Sequence, residues 1–127
     1  MMNQYDPECA PDTAEWLELD EQERIILIED YHRSNRIKLP NLTAHAIFHV
    51  IVENQIAEGL ESVLRAMVRL TGGGLSRHDA VHAIGFVLAE YVHDLSKSKD
   101  DAVTSQARYN AAVERLSAKS WRKTIGK

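Results

Sequence analysis

The chain has one cysteine, Cys9, so it cannot form an internal disulfide, and zinc modules built on cysteine clusters are excluded. It has few aromatic residues, with two Phe, two Trp and four Tyr. Any core must therefore be largely aliphatic and Ala-rich, a composition that suits packed helices. An excess of positive charge is also missing. The formal charge is −4, which argues against a nucleic-acid partner, because phosphate binding draws on clustered Lys and Arg. No apolar run approaches the roughly 18 residues needed to cross a bilayer. The opening MMNQYDPECAPD has neither a basic nor an apolar leader region. These absences lead to an expectation of a cytoplasmic protein without a membrane anchor.

What is present has helical periodicity. Residues 1–11 read as an irregular leader punctuated by Pro7 and Pro11, and residues 12–127 as one helical domain. A first helix is expected from Asp12 or Thr13, with a second capping signal at Asp20 and Glu23, so a short turn precedes the main helix. Lys38-Leu39-Pro40-Asn41 marks a break, with Asn41 as the cap of the second helix, which runs to Gly59. A shorter third helix ends at Gly72-Gly73-Gly74. Ser76 and Asp79 open a fourth, and a weakly amphipathic last helix follows from about Val103. The glycine triplet is not followed by Gly-Lys-Ser/Thr, so it lacks the pattern of a phosphate loop. The expected fold is all-α, a single-domain helical bundle of about four to five helices.

Four of the six histidines fall in two matching pairs, His45 with His49 and His78 with His82. Residues four apart on a helix differ by about 40° around the axis, so both imidazoles of a pair leave one face. Glu53 extends the first pair by a turn. The surrounding residues of both helices are apolar, as in central helices, and buried imidazoles need partners. Two such helices brought together would give one polar site. The candidate metal ligands are therefore His45, His49, Glu53, His78 and His82, a donor set for zinc, iron, nickel or manganese. Neither pair has Glu after its first His, so the zinc-protease motif is absent. No catalytic residue is assigned. His32 is expected to cap the first helix or lie at the surface, and His93, three turns beyond His82, is too distant to share an ion. Trp16 and Trp121 read as packing residues.

The segments HAIFHVIVENQIAEG (45–59) and LSRHDAVHAIG (75–85) resemble an uncharacterised family of small bacterial helical proteins with a doubled HxxxH motif, a domain of unknown function. That resemblance implies a bacterial, cytoplasmic setting and no particular activity. His49-x-x-x-Glu53 and His78-x-x-x-His82 are also similar to two pieces of the non-haem iron site of hemerythrin-like bundles. Residues 100–127 contain no histidine, so the likeness is one of site type only. Two functions follow as expectations. One is a metal-binding bundle with its site between the second and fourth helices. The other is a metal-free protein–protein interaction or assembly module, working as a homo-oligomer or with a protein partner, whose histidines form a structural hydrogen-bond network.

Overall fold

The computed structural model describes residues 2–35, 41–97 and 99–126. The expected break at Lys38–Pro40 lies outside the described residues, as does position 98 in the turn after the fourth expected helix. Among the described residues there are seven helices and no strand: α1 (Thr13–Glu18), α2 (Glu21–Ser34), α3 (Leu42–Ala57), α4 (Glu61–Gly72), α5 (Arg77–Leu95), α6 (Ala102–Arg115) and α7 (Ala118–Ile125). The all-α expectation holds, but four to five helices is too few. The first expected helix is two, because Leu19 is extended and Asp20 starts α2 with a reciprocal capping box to Glu23. The last is also two. Leu116 is extended, and Ser117 and Ser120 cap each other's backbone at the start of α7.

Both central loops use the same device. Gly59 and Gly74 have φ of +79° and +99°, a region costly for side chains with a Cβ. After α3, Leu60 N–H donates to Gln55 O and Gly59 N–H to Ile56 O. After α4, Leu75 N–H donates to Leu70 O and Gly74 N–H to Thr71 O. These are Schellman closures, which satisfy the last carbonyls of a helix. The Gly72–Gly74 run thus ends α4 and turns the chain into α5, where Ser76 accepts a hydrogen bond from Asp79 N–H.

Two apolar clusters form the interior. The larger joins α4, α5, α6 and α7 through residues such as Leu70, Ile84, Val113 and Trp121. The smaller joins the leader, α1, α2 and α3 through Tyr5, Trp16, Ile28 and Val50. α3 serves both, with Val52 in the first cluster and Ala46 and Val50 in the second. It packs on α2 on one side and α5 on the other. The histidines gather at this seam. No helix among the described residues is long and apolar enough to cross a membrane.

Candidate metal centre

Three helices and the leader build the centre. α3 supplies His45, His49 and Glu53, each one turn after the last, and α5 supplies the adjacent Arg77 and His78 with His82 one turn on. Their partners run in opposite order: His45 meets His82 (ring centroids 4.7 Å apart), His49 meets His78 (5.6 Å), and Glu53 meets Arg77. The last turn of α2 adds His32, fully buried, in place of the capping or surface position expected. Ile28 and His32 are four residues apart, so the face of α2 that enters the core carries both. Ile28 is likewise fully buried.

One ligand nitrogen from each of His32, His49, His78 and His82 lies within 4.8 Å of the others. Two of these residues have their proton positions fixed by their neighbours. His32 Nδ1 lies 2.8 Å from the Ile28 carbonyl oxygen, which can only accept, so Nδ1 carries a hydrogen and it is Nε2 that is left to offer a lone pair to a metal. His49 Nε2 lies 2.7 Å from the Tyr5 hydroxyl, and Tyr5 donates its own proton to Glu53 Oε2. His49 Nε2 must then donate, leaving Nδ1 with the lone pair. His32 Nε2, His49 Nδ1 and His78 Nε2 are all buried with no hydrogen-bond partner among the described residues. Leaving such a nitrogen unsatisfied costs about 1–3 kcal/mol.

No family model, curated protein or solved structure matches the chain. The donor set must therefore be read from its own chemistry. Burial, reinforced by the neighbouring imidazoles, lowers the pKa of His45 to about 4 and of His82 to about 3. The same causes hold His49 well below its usual range and lower His78. These rings are neutral at pH 7, as metal coordination requires.

The other expected ligands have partners of their own. His45 Nε2 is 3.1 Å from His82 Nε2, so one of the two donates to the other. Glu53, 1% exposed, accepts from Arg77 at 2.8 Å on each oxygen and from Tyr5. Tyr5 is kept in its neutral form by burial and by the charge of Glu53. Arg77 also donates to the Pro7 carbonyl oxygen at 2.9 Å, which ties the leader to α5. A chain of hydrogen bonds thus runs from His49 through Tyr5 to Glu53 and Arg77. Tyr5 and Arg77 escaped the sequence reading, although a carboxylate within the apolar run of α3 signals that a buried cation must exist. His93 is exposed, and Asn54 turns away toward Trp16, Arg24 and Glu21. Trp16 and Trp121 are buried packing residues.

Proposed function

We propose that this protein is a helical metal-binding protein whose ion is held by His32, His49, His78 and His82. The observation that carries the reading is three buried imidazole nitrogens, without hydrogen-bond partners among the described residues, in a four-histidine group. A tetrahedral ion with nitrogen ligands at about 2.0–2.1 Å needs those nitrogens about 3.3–3.4 Å apart. The group, all within 4.8 Å, reaches that spacing by small rotations of the rings. An all-imidazole set suits zinc, iron, nickel or copper better than manganese, which prefers carboxylate oxygen. Glu53 would then act through Tyr5 rather than as a ligand, orienting His49 and raising its basicity.

Metal titration of untagged protein, with zinc and nickel in turn, tests this. One ion per chain is expected, with affinity reduced by orders of magnitude in His32→Ala and His78→Ala. Absence of stoichiometric binding, together with a melting temperature unchanged by chelator, would overturn it.

The metal-free module is favoured by a different observation, the His45–His82 and His49–Tyr5 contacts, which are ordinary hydrogen bonds. On that reading His49→Gln and His82→Gln alter stability without altering metal content, and the chain self-associates or takes a protein partner.

A further inference from the structure

Beside the four-histidine group, α3, α5 and α7 border a cavity of about 330 Å³. His45, His49 and His82 form one end of it, and Phe48, Phe86 and Trp121 supply aromatic surface. Phe86 and Trp121 are 5.6 Å apart between ring centroids, and Phe86 is part-exposed. Gly85 and Ala89 follow His82 at i+3 and i+7, so the face of α5 that carries the histidine continues as small residues and leaves room. Among the described residues, no Asp, Glu, Lys or Arg lines the cavity.

Size, charge and polarity define an occupant. An apolar cavity of about 150 Å³ accepts benzene, so about twice that volume accepts one substituted ring. With no charged side chain among the described lining residues, an ionised ligand would lose hydration without compensation from them. Among the described lining residues the imidazoles of His45, His49 and His82 cluster together, with ring centroids 4.7–5.9 Å apart, and the Trp121 indole N–H is the one other polar side-chain group, so a ligand with one hydrogen-bonding group is oriented toward the imidazoles. We infer that this cavity binds a small, uncharged, single-ring aromatic molecule whose one hydroxyl group faces His45 and His82. The binding site lies directly against the proposed metal centre and makes His45, the histidine left outside the four-ligand set, its specificity-determining residue. The cavity itself does not depend on the metal reading; only its role as the ligand-binding side of a metal centre rests on that reading.

Phenol is the probe, with toluene and benzoate as comparators, added to the untagged full chain with and without zinc. The signal followed is the Trp121 indole N–H in ¹H–¹⁵N spectra. Phenol is expected to shift it saturably with a dissociation constant of about 1 mM or below, a normal value for so small a ligand. Toluene, lacking the hydroxyl, should bind about two- to tenfold more weakly, and benzoate should leave the signal unmoved. Ala89→Leu fills the cavity and should weaken phenol at least about tenfold. His45→Leu should make phenol and toluene equal. A Cβ at Gly85 meets only Val52 Cγ2, at an ordinary 4.0 Å. Gly85→Ala therefore folds normally and serves as a second, milder obstruction, weakening phenol a few-fold.

An unmoved Trp121 signal, or phenol binding undiminished in both Ala89→Leu and Gly85→Ala, overturns the inference. So does self-association of the chain that covers Trp121 and excludes phenol. Metal binding without phenol binding overturns this inference alone. Phenol binding to a protein that takes no metal overturns the metal reading and leaves the cavity's ligand class standing.

Discussion

Replacing Arg77 by Met should be among the most damaging single changes in this protein. Glu53 is 1% exposed, and the Arg77 side chain 13%. Two of the three hydrogen bonds to the carboxylate come from the guanidinium, each at 2.8 Å. Arg77→Met leaves that carboxylate in an apolar seam with only Tyr5. Removing one partner of a buried ion pair costs about 3–5 kcal/mol. For a chain of this length each 1 kcal/mol lowers Tm by about 3–5 °C, so the fall should be about 9–25 °C. Glu53→Gln should be milder, at about 1–3 kcal/mol. It keeps the shape of the site, and the freed guanidinium retains the Pro7 carbonyl and some access to water. The double variant Glu53→Gln/Arg77→Met should fall short of the sum by about 1–3 kcal/mol, the signature of a direct interaction. Urea unfolding of the four proteins, without metal, measures all three quantities. A loss below about 1 kcal/mol for Arg77→Met would refute the reasoning, because it would mean that water reaches Glu53.

Tyr5→Phe removes the link between His49 and Glu53 and should weaken metal binding about 10- to 100-fold in calorimetric titration, while the ion-to-protein ratio at saturation stays the same. The apo protein should lose stability in mild acid. His45 and His82 titrate at about 4 and 3 in the fold, and near 6.5 when unfolded. Stability is therefore full above about pH 6.5 and falls as the pH drops toward 3, where the unfolded chain takes up protons that the fold refuses. Urea midpoints from pH 7.5 to 4 test this, and a flat profile would contradict it. Gly59→Ala places a Cβ at φ +79° with no atom within 4 Å, so its cost is backbone strain alone, about 1–2 kcal/mol by thermal melting.

Most of the helices were legible because their starts are announced locally. Asp12, Asp20, Asn41 and Ser76 all accept backbone hydrogen bonds at helix starts, as their sequence positions suggest, and Asp101 does the same at the start of α6 without having been read as a cap. The break at Leu116 escaped because the apolar stripe continues across it. The box at Ser117 also has Ser120 where Glu or Gln is the usual signal. The two HxxxH pairs were legible for the same local reason, since a four-residue spacing needs only one helix to define a face. His32, Tyr5 and Arg77 were not, because their roles depend on how separate elements meet. Tyr5 lies 44 residues from His49 in an irregular leader, and no periodicity ties it to the site. His32 near the C-terminus of α2 fits a dipole-stabilised cap equally well until α3 and α5 close over it.

In the proposed centre, four imidazoles from three helices share one ion. Crystals of untagged protein grown with zinc, measured on both sides of the zinc absorption edge, test it most directly. One anomalous peak per chain is expected, about 2.0–2.1 Å from a ring nitrogen of each of His32, His49, His78 and His82. A peak elsewhere, or none at these rings in protein that is otherwise well ordered, would contradict it.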